Sequence, residues 1–315
     1  MISVCMCAYN GEKTINRQID SILDQTLLPD EIVIYDDAST DSTVSIINEY
    51  IKSYPNIHWV LQIRSQNAGW RRNFHDAINL CTGDYIFTCD QDDYWYPYKV
   101  EEMISIMRGN SHILLLSSNY YLEKNGKLSK RKGQRYNNKV CHISYRSKKS
   151  VASFNPGCTY CFRKCLISDF DSFWADGMSH DRALWVVAAM DNGLYLYNKP
   201  CIKWVRTGFT ASAINASHFS KERFAIKISG NRIDNLVATN LVRLALEKKD
   251  KNAELYYKRY VKKVLLQKSF YDKPTIAKAT KLLFEMHWYR EFKSYLQDMI
   301  AFKYRRKKKE INISN

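Results

Sequence analysis

Three carboxylates stand within four residues in the sequence DQDD at 90–93, directly after the apolar segment 85–88. Like charges this close repel one another unless a cation lies between them. Asp90 and Asp92 are two positions apart, so an extended backbone points both side chains the same way. Mg²⁺ and Mn²⁺ bind such oxygens together with phosphate oxygens. The pattern predicts a divalent-metal site; the alternative is an acidic turn that caps a helix beginning near Pro97.

A second acidic pair, Asp36-Asp37, directly follows another β-branched segment, Glu31–Tyr35. An Asp at a strand end can accept hydrogen bonds from a ribose or from a base N–H. The hydroxyl-rich stretch that follows offers the alternative, a helix whose N-cap is Ser39, Thr40 or Asp41.

A third polar segment, Cys7-Ala8-Tyr9-Asn10-Gly11-Glu12, follows the first apolar stretch of the chain. Tyr9 could stack on a base, and Asn-Gly forms a tight turn. The alternative is a turn and nothing more, because Asn-Gly marks turns in any protein.

The elements that must position these residues alternate in type along the first 120 residues. Five apolar, strand-like segments alternate with segments of helical spacing; the strand-like ones are 2–8, 31–35, 58–63, 84–88 and 112–117. The helical stripes fall in 13–25, 42–53 and 74–81. This alternation predicts right-handed crossovers and a mostly parallel sheet with helices on its faces. Ligands bind such sheets at the carboxyl ends of the strands, where the polar segments stand.

Five motifs together resemble the inverting glycosyltransferase family 2: CAYNGEKTI at 7–15, IVIYDDASTDST at 32–43, QNAGWRRNF at 66–74, GDYIFTCDQDDYW at 83–95 and SHDRALW at 179–185. The resemblance covers roughly residues 1–210. It is closest to the bacterial surface-polysaccharide branch with Asp-Gln-Asp-Asp-x-Trp, which includes rhamnosyltransferases. It implies the α/β GT-A (nucleotide-diphospho-sugar transferase) fold, a Rossmann-like, mostly parallel sheet flanked by helices, here with a C-terminal helical extension.

The same resemblance implies roles for individual residues. Asp90 and Asp92 would bracket Mn²⁺ or Mg²⁺, with Asp92 the direct ligand, and Asp181 would be the general base that deprotonates the acceptor hydroxyl. A helix N-cap is the alternative for Asp181. Contacts to the nucleotide sugar are implied for Ala8, Tyr9, Glu12, Asp36, Asp37, Arg71, Arg72, Asp90 and Asp93. Contacts to the acceptor are implied for Asn155, Gly157, Trp95 and His180. The alternative for the arginine pair is a solvated helix face.

One departure from the family pattern concerns the metal site. Members often carry a His shortly after an Arg that would correspond to Arg206, and this chain has Thr207-Gly208-Phe209 there, with His218 in a different register. The sequence therefore does not identify the third metal ligand. Cys158 and Cys161 form a C-x-x-C, but no second pair stands at zinc-ligand spacing. We therefore expect both to be buried thiols and not zinc ligands.

The N-terminal part of the chain is acidic and the C-terminal part is basic. The 315 residues carry 48 Lys and Arg against 32 Asp and Glu, but residues 1–100 hold 7 basic and 14 acidic side chains, leaving 41 and 18 for the rest. We expect a catalytic domain at 1–215, with a nucleotide-sugar half (1–110) and an acceptor half (111–215). A basic helical region follows at 216–315 and includes KYRRKKK at 303–309.

The basic helices and tail predict attraction to anionic lipid at the cytoplasmic leaflet; the alternative is a solvated helical face. No apolar run approaches the roughly 18 residues that span a bilayer, the N-terminus lacks signal-peptide features, and nine cysteines suit reduced thiols. The expected location is cytoplasmic, peripheral on the inner face of the membrane. A homodimer through the C-terminal third is left open.

The principal hypothesis is a metal-dependent inverting transfer of a hexose (L-rhamnose, galactose or glucose) from a UDP- or dTDP-sugar to a polyprenyl-diphosphate-linked glycan. A sugar-1-phosphate nucleotidyltransferase would need a Gly-rich basic loop that residues 8–16 do not supply. A non-catalytic basic module for membrane or nucleic acid would explain the rear of the chain. It would leave the acids at 36–37 and 90–93 unused, so nucleic acid is not an expected partner.

Overall fold

A computed structural model of the chain describes residues 1–131, 134–147, 150–151, 155–206, 221–288 and 292–299. At 221–227, 229–230 and 292–294 only the backbone is described. The chain forms two compact units, residues 1–144 with 153–210 and residues 145–152 with 211–315.

The first four strands of unit one form a parallel sheet in the order β3-β2-β1-β4. They are β1 (Ile2–Ala8), β2 (Glu31–Asp36), β3 (His58–Ile63) and β4 (Tyr85–Asp90). The helices between them are α1 (Ile15–Leu23), α2 (Thr43–Ser53) and α3 (Trp70–Leu80). In register, Ala8 pairs with Asp36 and Cys7 with Asp90, so the carboxyl ends of β1, β2 and β4 lie level. The alternation predicted from the sequence is confirmed.

The rest of unit one extends the sheet in the order β4-β9-β6-β10-β5. Its elements are β5 (Tyr94–Trp95), α4 (Lys99–Gly109), β6 (Leu115–Lys124), β7 (Lys127–Lys130), β8 (Val140–His142), a 3₁₀ turn (Gly157–Thr159), β9 (Tyr160–Arg163), α5 (Leu166–Phe173), α6 (His180–Met190) and β10 (Leu194–Arg206). β6 and β10 pair in parallel, whereas β9 runs antiparallel to both of its neighbours. The sheet as a whole is therefore mixed.

Strand β6 begins and ends later than its sequence suggests. The expected strand covers 112–117, but the observed one continues to Lys124. Its continuation runs through Ser117, Ser118 and Asn119, which are buried although polar. Asn155 donates to Ser117 Oγ (3.0 Å) and to the Ser118 carbonyl (2.8 Å), so side chains from other segments satisfy these polar groups. Hydropathy alone does not show such a strand.

The core of unit one follows from the position of β1. All seven residues of β1 are buried, since strands cover both edges and helices cover both faces. Ile15, Ile19 and Ile22 of α1 are fully buried and recur at helical spacing, as predicted. Burying each such side chain contributes roughly 1.5–3 kcal/mol. This packing fixes the strands whose ends carry the acidic residues.

Unit two is helical, as the sequence predicts for the extension. It contains α7 (Lys221–Glu247), α8 (Lys251–Asp272), α9 (Ile276–Phe284), a 3₁₀ turn (Met286–Trp288) and α10 (Phe292–Asp298). Asp250 caps α8 by accepting from the Asn252 and Ala253 N–H groups (3.0 and 2.9 Å). Of the helices described, none combines the length and the hydropathy that crossing a bilayer requires. The basic run at 303–309 lies outside the described residues.

Candidate active site

The acidic loop at 90–93 follows β4 and is held at its backbone and at one carboxylate. Arg17 of α1 donates from Nε to the Asp93 carbonyl (3.2 Å) and from Nη2 to the Asp92 carbonyl. The Asp93 side chain is fully buried, and its Oδ1 accepts from the Val205 N–H of β10 (2.9 Å). The predicted contact of Asp93 with the sugar stays a prediction, and the contacts of its buried carboxylate fix the loop to β10.

Burial raises the pKa of all three carboxyls of the loop, and repulsion between carboxylates adds to it at Asp90 and Asp93. Burial, the neighbouring Asp92 and the charge of Asp181 raise the pKa of Asp90 to about 7, against the opposing charge of Arg206. Burial also raises the pKa of Asp92. The pKa of Asp93 is raised well above its usual range by burial and by the charges of Asp90 and Asp92. The loop therefore concentrates more negative charge than its protein surroundings compensate.

Cys158 contacts this loop from the 3₁₀ turn. Burial raises the pKa of its thiol well above the usual value, so the thiol stays protonated and bonds to Asp90 and Asp93. The three residues bring potential ligand atoms within 4.8 Å of one another, the one such cluster in the part of the chain that the structure describes. Cys161, the partner in the C-x-x-C, is not in the cluster, in keeping with buried thiols.

The donor set of this loop fits a hard divalent cation. Clustered carboxylate oxygens are the ligands of Mg²⁺ and Mn²⁺, and a protonated thiol is not. A cation at Asp90 would also relieve the repulsion that raises its pKa. Asp92 stands outside the cluster of three, so its place as direct ligand stays a prediction.

The turn after β1 is joined to the acidic loop by Gln91. The Gln91 side-chain amide accepts from the Tyr9 N–H and donates to the Tyr9 carbonyl, both at 2.9 Å. A Cβ on Gly11 would stand 2.4 Å from Gln91 Oε1, so glycine leaves room for this pair of bonds. The Tyr9 ring is 46% exposed and available for stacking, and Ala8 is buried at the end of β1.

Asp36 and Glu12 organise the loop after β2. Asp36 accepts from the Ser39 N–H (2.8 Å) and Oγ (2.5 Å), and Glu12 accepts from the Ser42 N–H (3.2 Å). Helix α2 begins at Thr43 with Ser42 as N-cap, so the predicted N-caps Ser39, Thr40 and Asp41 are wrong. The helix begins later because Asp36 holds Ser39 in a turn, although the Asp41 carboxylate still accepts from the Thr43 N–H (3.0 Å).

Asp37 reaches the start of α3 and is almost completely buried. Its two carboxylate oxygens accept from the Ala68 and Gly69 N–H groups at 2.8 and 2.9 Å, and Arg64 Nε lies 3.6 Å away. Its predicted contact with a nucleotide stays a prediction. In this structure Asp37 ties the end of β2 to the loop that enters α3.

Arg71 and Arg72 lie on the first turn of α3. The Arg71 guanidinium lies 4.4 Å from the Trp70 ring centroid, and Arg72 pairs with Asp76 at 3.0 Å. Both line a cleft that also includes Trp174. Their predicted place beside the nucleotide stays a prediction.

Asp181 lies at the start of α6, after the N-cap Ser179. Its Oδ1 accepts from Ser179 Oγ and from the Arg182 N–H (2.6 Å). Because Ser179 is the N-cap, the predicted alternative of Asp181 as N-cap is wrong, and Asp181 lies within the first helical turn. The charge of Asp181 nevertheless raises the pKa of Asp90, so the two carboxylates lie close enough to interact.

Gly157 explains how the Asp181 helix approaches the acidic loop. A Cβ at this position would stand 2.4 Å from His180 Nε2 and 3.2 Å from Asp181 Cβ. The Gly157 carbonyl accepts from Thr88 Oγ1 of β4 (2.7 Å). Since Cys158 follows and bonds to Asp90, residues 157–158 connect the end of β4 with the start of α6.

His180 is buried and neutral at neutral pH. Its ring stacks on Phe74 at 3.8 Å, and burial lowers its pKa to about 4. Asn155 is also buried and bonds to β6. The predicted acceptor contacts of both residues stay predictions.

Trp95 is fully buried beneath the acidic loop. Lys99 Nζ lies 3.3 Å from the Trp95 ring centroid and donates to the Cys158 carbonyl (2.8 Å). The predicted contact of Trp95 with the acceptor stays a prediction. Sequence reasoning missed Lys99, because a lysine at a helix start predicts an exposed side chain.

Of the segment that could supply a third metal ligand, the structure describes the end of β10. Arg206 ends β10 with its guanidinium 3.8 Å from the Trp204 ring centroid, and its charge lowers the pKa of Asp90. Thr207–Phe209 and His218 lie outside the described residues.

The family model of glycosyl transferase family 2 matches residues 3–171. The dTDP-rhamnosyl transferase RfbG of Shigella flexneri is 31% identical over 174 residues, covering 53% of this chain and 57% of that protein. The UDP-Glc:alpha-D-GlcNAc-diphosphoundecaprenol beta-1,3-glucosyltransferase WfaP of Escherichia coli is 36% identical over 124 residues, covering 39% of this chain and 47% of that protein. The matches thus span about half the length of these relatives.

A solved structure of S. aureus TarS 1-349 in complex with UDP-GlcNAc superposes with a TM-score of 0.63 and 18% identity. The superposition covers 91% of this chain and 78% of TarS 1-349. At this identity the likeness supports the fold.

Proposed function

The chain belongs to glycosyltransferase family 2, and from that premise we propose that it transfers a hexose from a UDP- or dTDP-sugar to a glycan hydroxyl, inverting the anomeric configuration. The observation that carries the proposal is the close approach of the Gly157-Cys158 turn to the start of α6, because Cys158 also offers a ligand atom within 4.8 Å of those of Asp90 and Asp93. This approach supports Asp181 as a base beside a candidate metal site. L-Rhamnose is the favoured sugar, with galactose or glucose next. The relative named as a dTDP-rhamnosyl transferase supports that order.

The donor lies at the carboxyl ends of β1, β2 and β4. Tyr9 stacks on the base, and Ala8 and Glu12 lie in the same turn. Asp36 and Asp37 contact the nucleotide from the end of β2. Asp90 and Asp92 would hold the cation, which when bound would supply positive charge against the leaving diphosphate. The level ends of these strands, and the bond pair between Gln91 and Tyr9, support one continuous binding edge.

Asp181 acts as general base. It takes the proton of the acceptor hydroxyl while that oxygen attacks the anomeric carbon from the face opposite the diphosphate. The new glycosidic C–O bond forms as the bond to the diphosphate breaks, and this single displacement inverts the configuration. His180, the residue before Asp181, is neutral at neutral pH and adds no positive charge beside the base.

The acceptor in this proposal is a glycan on a polyprenyl diphosphate in bacterial surface-polysaccharide synthesis, including O-antigen and capsule. The relative named for a diphosphoundecaprenol acceptor supports it. The enzyme would then be peripheral on the inner face of the membrane. Helix α8 supports this with an exposed face on which Lys258, Arg259 and Lys262 lie next to Leu255 and Leu265. Cosedimentation with phosphatidylglycerol vesicles should fall when Lys258 and Lys262 are changed to Glu, and should be unaffected by Lys52→Glu in α2.

Turnover of mass-tagged nucleotide sugars tests the function itself. A panel of UDP- and dTDP-hexoses is incubated with Mn²⁺, and nucleotide release is measured by mass spectrometry. The wild type should release nucleotide from at least one donor, and Asp92→Asn should lose most of that release. Asp24→Asn, an exposed Asp after α1, is the matched control and should keep it. Release by none of the donors, or full release by Asp92→Asn, would contradict the proposal.

A further inference from the structure

A cleft of about 500 Å³ lies between the first turn of α3 and the segment that joins α5 to α6. Its walls combine aromatic, cationic and acidic side chains, above all Trp70, Arg71, Arg72, Trp174 and Asp176. None of its lining residues comes from the ends of β1, β2 or β4, where the proposed donor rests. The lining residues Ala68 and Gly69 donate their N–H groups to Asp37, so the cleft adjoins the donor edge at the end of β2.

The chemistry of the walls suits a sugar ring. Trp70 is 39% exposed, and the half-buried Trp174 is fixed by stacking on His75 at 4.1 Å and by an Nε1–H bond to the Met178 carbonyl (3.0 Å). Rigid indole rings offer an apolar surface for the C–H face of a sugar. A few polar groups around such a surface can then fix the orientation of the hydroxyls.

The charge of the walls favours an anionic group on that sugar. Arg72 is partly neutralised by Asp76 at 3.0 Å and by the exposed Asp176 at 3.8 Å. Arg71 forms no ion pair with any described residue and rests on the Trp70 ring. A guanidinium offers a planar fork of donors that matches a carboxylate or a phosphate. Arg71 is thus the cation that remains for a ligand.

The position of the cleft points to the acceptor. The Trp70 ring meets the His180 ring edge to face at 6.3 Å, and the next residue along the chain is Asp181. The other wall, at 174–177, leads directly into α6. One wall of the cleft therefore contacts the residue before the proposed base, and the other wall precedes the helix that carries it.

We propose that this cleft binds a sugar unit of the acceptor together with an anionic group attached to it, either a uronate carboxylate or the diphosphate of a lipid carrier. The inference rests on the proposed function, because it takes Asp181 as the base. Arg71 and Arg72 then serve the acceptor, and a contact with the nucleotide is the competing assignment.

Fluorine NMR of protein labelled with 6-fluorotryptophan tests the assignment, with the Trp70 and Trp174 signals identified from Trp70→Phe and Trp174→Phe. The probes are a glucuronic-acid disaccharide, an N-acetylglucosamine diphosphate on a short alkyl chain, neutral diacetylchitobiose, and UDP or dTDP with Mg²⁺. One anionic probe should shift both signals, even with nucleotide at saturation, and the one that does so identifies the source of the negative charge. Arg71→Ala should weaken this binding about tenfold or more.

Two matched variants serve as controls. Arg108→Ala removes another exposed arginine, and Trp59→Phe removes another half-buried indole that bonds to a backbone carbonyl at 3.0 Å. Both should bind the anionic probe as the wild type does.

Several results would overturn the inference: no shift with either anionic probe, equal binding of diacetylchitobiose, wild-type affinity in Arg71→Ala, or nucleotide shifting the Trp174 signal and displacing the probe. Donor binding is followed separately by thermal shift. If no nucleotide sugar shifts the melting temperature of the wild type while an anionic probe still binds, the proposed function is contradicted and the cleft assignment stands.

Discussion

Asp181 lies close enough to Asp90 for its charge to raise the pKa of that carboxyl, although the two residues come from distant parts of the chain. The approach depends on the Gly157-Cys158 segment. Cys158 bonds to Asp90, and Gly157 lies against the His180 ring and Asp181 Cβ at the start of α6. This single relationship joins the two halves of unit one into one candidate site.

Asp181→Asn should strongly reduce sugar transfer and leave donor binding intact. The amide keeps the shape of the side chain, but it cannot accept the proton of the attacking hydroxyl. General-base catalysis contributes roughly 10²–10⁴-fold, so we expect a loss of that order. Transfer to an acceptor and thermal shift by the donor are measured in parallel. Wild-type transfer by the variant would remove Asp181 from the mechanism.

Gly157→Ala should lower both stability and transfer. Its Cβ would stand 2.4 Å from the buried His180 ring, which cannot move without displacing Phe74 and Asp181. Such overpacking costs about 1–3 kcal/mol. Urea unfolding and transfer assays check this, with Gly109→Ala as control, because no atom lies within 4 Å of a Cβ there. Equal effects of the two substitutions would show that the close approach at Gly157 does not matter.

Much of this site could be predicted because its residues stand at strand ends. The limits of β1 and β3 match the expected segments, and the register of the parallel strands brings the polar loops together as predicted. The bonds of Cys158 and the pair formed by Gln91 and Tyr9 could not be predicted. They join residues 65 to 82 positions apart, and neither a buried thiol nor a loop amide has a periodicity that reveals its partner.

Asp37→Asn should destabilise unit one. Each oxygen of Asp37 accepts a backbone N–H of the loop entering α3, and the asparagine would turn an NH₂ group toward one of these donors. A buried donor left unpaired costs about 1–3 kcal/mol. Urea unfolding checks this against the exposed Asp24→Asn. An unchanged free energy of unfolding would mean that the loop is held by other contacts.

His180 should make stability depend on pH below neutrality. Because burial lowers its pKa to about 4 from the ordinary 6.5, the unfolded chain binds a proton in this range that the folded protein does not. Unfolding is therefore favoured as the pH falls from 6.5 toward 4. The contribution between pH 7 and pH 5 is about 2 kcal/mol.

The comparison variant for this effect is His180→Leu. Its free energy of unfolding, measured in urea at several pH values, should fall less steeply over the same range. Parallel curves for the two proteins would show that the ring is not held neutral.

The most direct test of one shared site is a carbon NMR titration of the aspartate carboxyls in metal-free protein. The Asp90 signal, assigned from Asp90→Asn, should titrate near pH 7 in the wild type. In Asp181→Asn it should titrate at a lower pH, because a negative charge that opposes its ionisation is gone. The same titration midpoint in both proteins would place Asp181 away from Asp90 and contradict the account.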